Sequence, residues 1–351
     1  MPTIAINGFG RIGRLAARIW YQSHTSEVSL VSINTSGSMD LSGWAHLLKY
    51  DTTFGMFQGE IKVEEHQPVK SATDADPLLG YLTLDNKSKI AVLAQRDPAK
   101  IPWGTYGVDT VIESTGAFLT TEKASLHLTA GAKSVLISAP GKDESIVTVV
   151  KGVKDIASDK IVSNASCTTN CISPVITILQ ESFGVEKAML NTIHSYTDDQ
   201  NLQDGSHKDL RRARAGAGNI VPTTTGAAKT AGKVVDGLSG LFDGLSIRVP
   251  TLTGSLADVT AILKKDVTVD ELNQAFVAAA KTPRWQGIIA TTDEPLVSSD
   301  IIGRSESSIV DLGLTQVVGG NMVKIIAWYD NEWGFTNRLV EVAIQMSQVE
   351  L

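Results

Sequence analysis

The two cysteines of this 351-residue chain, Cys167 and Cys171, stand four positions apart in the run SNASCTTNC. A disulfide, half of a metal site, two buried bystanders, or a nucleophile with a neighbour would each account for them. Ser166, just ahead of an apolar run, reads as a helix N-cap. Cys167 then falls in the first turn, where free N–H groups and the helix dipole favour a thiolate. Cys171 lies one turn further on, and helix geometry does not readily set two such Cβ atoms at disulfide spacing. Zinc needs three or four ligands. There is no second cysteine pair and the six histidines are scattered, so no metal is expected. Pro174, inside the same run, is expected to kink the helix. A thiol nucleophile also needs a base. His194 ends the strand-like AMLNTIHSYT, 27 residues after Cys167, and from there can reach a neighbouring helix start. Spacing alone favours a structural histidine at such a position.

A second constellation opens the chain. Gly8, Gly10 and Gly13 in NGFGRIGR fit G-x-G-x-x-G. They follow an apolar strand at 3–7 and precede a helical pattern in which Ile12, Leu15, Ala16 and Ile19 recur at three- and four-residue steps. A second buried strand follows at 28–34. In that context the glycines allow a tight turn and close approach to a pyrophosphate, and the helix N-terminus offers free N–H groups. An acid at the end of the second strand would hold the ribose hydroxyls of NAD. Here Asn34 is followed by Thr35, and Asp40 comes late unless its loop folds back. The hydroxyls of Thr35, Ser36 and Ser38 stand where a carboxylate would repel a 2′-phosphate. This tilts the cofactor toward NADP, or toward use of both.

These residues need a scaffold. Strands at 61–63, 81–84, 90–94 and 108–113, then a helix stopped by Gly131 and another strand, alternate as in a parallel sheet. Ser114, Thr115 and Gly116 then line the cleft beyond the strand ends. The fold expected is α/β: an N-terminal Rossmann doubly wound domain over 1–165, and a C-terminal α+β catalytic domain over 166–333. A helix over 334–351 should pack back on the first domain. The length suits two domains. Net charge is −7 and the pI about 5.4, which argues against nucleic-acid or anionic-membrane partners. No apolar run reaches 18 residues and no signal peptide is visible. Two cysteines make no disulfide framework, so a cytoplasmic protein is expected.

NGFGRIGR, STG, SNASCTTNC, HSYT, HKDLRRAR, PTTTGAAK, RVPT and WYDNEWG occur in the order found in phosphorylating glyceraldehyde-3-phosphate dehydrogenases. The chain resembles that family over essentially its whole length. The resemblance implies that the Cys167 thiolate attacks glyceraldehyde 3-phosphate to give a hemithioacetal. His194 would handle the protons and help hold the oxyanion. Hydride would pass to the nicotinamide, and inorganic phosphate would release 1,3-bisphosphoglycerate from the thioester. Thr197 and Arg248 match the family's site for the substrate phosphate. Ser166, Thr168, Thr225 and Gly226 match the site for the attacking phosphate. Gly8, Phe9, Gly10, Arg11 and Ile12 match the pyrophosphate loop, closed by Gly13. Asn34 and Thr35 fall at the ribose end. Arg96 and Ser114 to Gly116 match residues around adenine and nicotinamide, and Asn331 the residue that holds the carboxamide. Cys171 would lie behind the nucleophile without a catalytic role. The long loop from Ser195 to Gly218 would sit at a subunit interface of a homotetramer.

The chain departs from the family in places. Members that use NAD usually carry Asn-Asp where Asn34-Thr35 stands, and Leu-Pro where Gly205-Ser206 stands. Both departures, at Thr35 and Ser206, point to efficient use of NADP, with NAD as the other candidate. No arginine lies between Asn34 and Ser42 to enforce selectivity. Phe335 replaces a usual tyrosine. The competing readings are an erythrose 4-phosphate dehydrogenase of the same chemistry and a non-catalytic binding protein on this scaffold.

Overall fold

The computed structural model describes residues 1–349. The chain divides into two compact units: one holds 1–149, 156–165 and the stretch from Thr336 on, the other 150–155 and 166–335. The last two residues of the helix expected over 334–351 lie outside the described residues.

The first unit carries β1 (Thr3–Asn7), α1 (Arg11–Ile19), β2 (Ser29–Asn34), α2 (Leu41–Lys49) and a small hairpin of β3 (Tyr50–Asp51) with β4 (Gly55–Met56). Then come β5 (Ile61–Glu65), β6 (Leu78–Leu84), β7 (Ser88–Leu93), β8 (Thr110–Glu113), α3 (Thr121–Thr129), β9 (Ser134–Ile137), β10 (Val147–Thr148) and β11 (Ile161–Ser163). Nine strands form one sheet in the order β10-β11-β9-β8-β1-β2-β7-β6-β5. Pairing is parallel from β10 to β7, and the last two strands add antiparallel. β8 and β9 are buried at every residue, as parallel strands covered on both faces must be. Strand order reverses at β1, between β2 and β8. The crevice beyond those strand ends is the topological switch point where doubly wound sheets bind ligands.

The second unit carries α4 (Cys167–Phe183), β12 (Val185–Ser195), β13 (Val221–Thr224), α5 (Ala227–Val234), β14 (Phe242–Val249), β15 (Ser255–Leu263) and α6 (Val269–Ala280). β16 (Ile289–Thr292), β17 (Ser308–Asp311), β18 (Gln316–Val318) and β19 (Met322–Tyr329) follow. α7 (Trp333–Gln348) begins one residue before its expected start and from Thr336 on belongs to the first unit. The mixed sheet runs β13-β14-β12-β15-β19-β17-β16, with β18 on β19. β15 alternates buried and half-buried residues along its length, the period of a sheet with one face on a core. That core is α4, which lies on β15, β17 and β19 and buries Cys171, Ile172, Val175, Ile176 and Leu179. Pro174 sits inside α4, and the helix runs on without a break to Phe183. The Rossmann-plus-α+β architecture expected from the sequence is the one observed. Among the described residues no helix is long and apolar enough to cross a membrane.

Candidate active site

At the end of β1, Gly8 has φ +96°, and a Cβ there would come within 2.8 Å of Ser114 and Thr115 backbone atoms. Gly13, in the first turns of α1, passes so close to the Gly8 carbonyl that any side chain would overlap it. The first contact sets the loop against the end of β8 and the second sets α1 against the loop, and Ser114 Oγ ties the loop down by donating to the Asn7 and Gly8 carbonyls at 3.0 and 2.7 Å. The result is a cavity of about 390 Å³ at the switch point. Of the residues expected there, Gly8, Phe9, Gly10, Asn34, Thr35, Arg96, Ser114 and Thr115 line it. Arg11 instead pairs with Asp51 at 3.0 Å, and Gly116 follows in a left-handed turn at φ +72°. Trp44, Gln95 and Phe118 also line the cavity and were not legible as site residues. They arrive from α2 and from the loops after β7 and β8, so no local spacing marks them. Trp44 packs edge-on to Phe9, ring centroids 6.1 Å apart.

A buried polar chain braces the cavity floor. Asn34 Nδ2 donates to Asn7 Oδ1 at 2.7 Å, and Asn7 Nδ2 donates to Glu113 Oε2 at 2.6 Å. Thr115 N–H donates to the same carboxylate at 2.8 Å, and the Thr115 hydroxyl also bonds to it. His127 Nε2 reaches Glu113 Oε2 at 3.0 Å, while Trp103 Nε1 donates to His127 Nδ1 at 3.0 Å. Since the indole can only donate, Nδ1 is the acceptor and Nε2 carries the proton toward Glu113.

The ribose end corrects one expectation. Thr35 is buried, and its hydroxyl donates to the Leu93 carbonyl at 2.9 Å. Its proton is therefore not on offer to a phosphate. The groups left facing outward are the Ser36 and Ser38 hydroxyls, 3.0 Å apart, and Arg96, whose Nε donates to the Ser36 carbonyl at 3.3 Å. Asp40 does not fold back into the cavity; its carboxylate accepts the Val69 N–H at 2.6 Å. The local sequence after Asn34 lacks an arginine, but the loop after β7 brings one in. Ser206 is exposed on the long loop of the second unit.

In the second unit α4 starts abruptly. Ala165 is fully buried with φ +56°, a conformation that costs a side-chain-bearing residue about 1–3 kcal/mol. It turns the chain so that Ser166 Oγ can cap the helix by accepting the Thr169 N–H at 3.1 Å. Cys167 follows, half-buried, with Sγ 3.4 Å from His194 Nε2. Cys171 points elsewhere: it is fully buried, its Sγ 3.7 Å from Ser308 Oγ, and both cysteines are free thiols.

His194 lies near the end of β12, directly opposite Arg248 on the parallel neighbour β14. Two donors converge on the Ser195 carbonyl, His194 Nδ1–H at 2.7 Å and Arg248 Nη1 at 3.2 Å. The Nδ1 proton is thereby fixed, and the Nε2 lone pair faces the thiol. Arg248 Nη1 also donates to Thr197 Oγ1 at 3.0 Å, whereas its Nε is buried without a hydrogen-bond partner. Asp199 and Arg212, not singled out from the sequence, stand beside it: Asp199 bonds to Thr197 Oγ1 and to Arg212. Tyr329 was also missed. Its buried hydroxyl bridges Thr168 Oγ1 and Thr192 Oγ1, both at 2.9 Å, and its ring meets His194 edge-on. Thr225 Oγ1 accepts the Ala227 N–H at 3.2 Å, and Gly226 caps α5, which packs along α4. Asn331 is buried after β19.

Burial sets the charges here. It pushes the Cys167 thiol up against the opposing pull of Arg248 and of the Thr168 side chain and backbone. It also pushes the His194 imidazolium down to about 3, reinforced by the positive Arg248. Either charge by itself is disfavoured. Moving the proton from Sγ to Nε2 creates both charges at once, in contact, and gives each its partner. Among the described residues no group of three His, Cys, Asp or Glu side chains could hold a metal ion.

The first unit is a dinucleotide-binding domain, and the second brings Cys167, His194 and Arg248 together; the class these features fit is an oxidoreductase with a Rossmann domain. Residues 2–121 match the family domain described as glyceraldehyde 3-phosphate dehydrogenase, NAD binding domain, and residues 166–331 match its C-terminal domain. A glyceraldehyde-3-phosphate dehydrogenase of Zymomonas mobilis subsp. mobilis is 48% identical over 348 residues, covering 98% of each chain. One of Streptomyces coelicolor is 47% identical over 345 residues and 97% of each chain. One of Mycobacterium avium is 48% identical over 346 residues, 97% of this chain and 96% of the other. The chain belongs to the glyceraldehyde 3-phosphate dehydrogenase family.

Proposed function

We propose that this protein oxidises glyceraldehyde 3-phosphate in the presence of inorganic phosphate to 1,3-bisphosphoglycerate, reversibly, with NADP as an efficient cofactor and NAD as an alternative. The observation that carries the reading is the Cys167–His194 contact at 3.4 Å with Arg248 on the same rung of the sheet. Cys167 Sγ adds to the aldehyde carbon as its proton passes to His194 Nε2. His194 then donates to the oxyanion in the hemithioacetal and takes the hydroxyl proton as the carbonyl reforms. The bound nicotinamide supplies the hydride acceptor for that step. Inorganic phosphate attacks the resulting thioester, and the thiolate leaves. Arg248 holds the substrate phosphate, with Thr197 beside it giving up its bond to Asp199 to donate to the phosphate. Ser166, Thr168, Thr225 and Gly226 serve the attacking phosphate.

The residues present fit a dinucleotide: Gly8 and Gly13 leave the loop bare for a pyrophosphate at the start of α1, and the cavity reaches the ribose end at Ser36. NADP use is supported by the missing acid at position 35, by Asp40 held away at Val69, and by Arg96 beside Ser36. Asn331 would hold the carboxamide. A homotetramer is supported by two apolar surfaces. The sheet face opposite His194 and Arg248 exposes Met189 and Leu245, and the long loop exposes Leu202 and Leu210 at 84% and 81%.

Initial rates with NAD and NADP, each with and without phosphate, test the proposal. Phosphate-dependent turnover, with kcat/KM for NADP at least comparable to that for NAD, is expected. A kcat/KM for NAD far above that for NADP overturns the cofactor assignment. Turnover indifferent to phosphate, with preference for erythrose 4-phosphate, overturns the substrate assignment.

A further inference from the structure

Ser195 sits fully buried between two elements that the chemistry has to align. Its carbonyl fixes the His194 tautomer, as described. Its N–H points the other way and donates to Ser255 Oγ at 3.1 Å. Ser255 opens β15, where it pairs with Tyr329 of β19. Its hydroxyl in turn donates to Asn331 Oδ1 at 2.7 Å. Thr253 adds a weaker contact to the same oxygen at 3.2 Å, its proton going chiefly to Asp330 Oδ1 at 2.9 Å.

This arrangement has a direction. The Ser195 N–H can only donate, so it occupies one lone pair of Ser255 Oγ. The Ser255 proton then has a single acceptor, Asn331 Oδ1. If the Asn331 amide turned over, its NH₂ would face Ser255 and a buried hydroxyl proton would lose its acceptor, which is costly. The amide is therefore held with oxygen inward. Asn331 Nδ2 is left as the outward group, and it donates to no protein group among the described residues.

We propose that Ser255 is a positioning residue: anchored by the Ser195 N–H, it locks the Asn331 amide so that Nδ2 is presented as a donor to the carbonyl of the nicotinamide carboxamide. The inference rests on the reading above that Asn331 meets the nicotinamide. It adds that Asn331 acts as a donor of fixed orientation, and that one peptide, at Ser195, orients both the base and the carboxamide holder.

The test uses the full chain. Ser255→Ala should raise the KM for the nicotinamide cofactor by about tenfold, the upper range for one hydrogen bond. It should also raise the primary deuterium isotope effect on kcat with C1-deuterated aldehyde, because a loosened ring slows hydride transfer. The rate of Cys167 alkylation should stay within about twofold, and Ser255→Thr, which keeps the hydroxyl, should restore the parent constants. The parent enzyme gives a measurement free of any folding defect. The 3-acetylpyridine analogue of the cofactor keeps the carbonyl acceptor and loses the amide nitrogen, so its KM should lie within a few-fold of the natural cofactor's. An unchanged cofactor KM in Ser255→Ala, a Thr variant as impaired as the Ala variant, or an analogue KM more than about tenfold worse each overturns the inference. So does a matching fall in the alkylation rate, which would mark local collapse. A parent chain inactive with either nucleotide fails the underlying reading, and the inference falls with it. An active parent with any of the other results fails the inference alone.

Discussion

Replacing His194 by asparagine removes the imidazole whose Nε2 stands 3.4 Å from Cys167 Sγ, within reach of the thiol proton. Opposite unit charges 3.4 Å apart attract by about 5 kcal/mol at an effective dielectric of about 20. Since about 1.4 kcal/mol is a factor of ten, the pair could raise the thiolate population by up to roughly three and a half decades. Arg248, which faces the imidazole across the strand pair, takes back part of this by opposing the positive ring. Alkylation of Cys167 by iodoacetamide at pH 7 should therefore slow by about 10- to 1000-fold in His194→Asn. The assay is the pseudo-first-order loss of reactive thiol across a pH series. At high pH, where the thiol ionises without help, the two proteins should converge to within a few-fold. Identical profiles for parent and variant would refute the reasoning, since they would mean that the imidazole does not control the thiol.

Arg248→Leu should raise the KM for glyceraldehyde 3-phosphate by about 100-fold, the scale of a charge-assisted pair. The kcat/KM for unphosphorylated glyceraldehyde should fall by a smaller factor, since Arg248 also acts on the charges of Cys167 and His194, and equal losses on both aldehydes would show that Arg248 is not the phosphate anchor. Gly13→Ala would force a methyl group into the Gly8 carbonyl and should cost about 1–3 kcal/mol of stability. Thermal unfolding and nucleotide titration would read it, and an unchanged melting temperature with full nucleotide affinity would show that the loop yields freely.

The parts of the site visible in the sequence were those whose neighbours along the chain define their chemistry. The strand, glycine turn and helix at Gly8 to Ile19 are one local unit, and so are Ser166 and the turn it caps. The elements themselves were legible because apolar period and punctuation agree: Gly131 stops α3, and β15 alternates along its whole length. The hidden parts come from long-range pairing. Arg248 joins His194 only because β14 runs parallel to β12, 54 residues later. Tyr329 reaches Thr168 across 161 residues, and nothing near either residue signals the contact. Thr35 shows the converse. Its position was readable, but the use of its proton by Leu93 was not, because that depends on the strand laid beside it.

The shared rung of His194 and Arg248 has one more consequence. The register of a strand pair fixes which face each side chain takes, so His194 and Arg248 stand side by side, with Arg248 Nη1 3.2 Å from His194 Nδ1. A slip of β14 by one residue against β12 would turn Arg248 to the opposite face and leave His194 where it is, so the pairing of ring and guanidinium is lost in a single step.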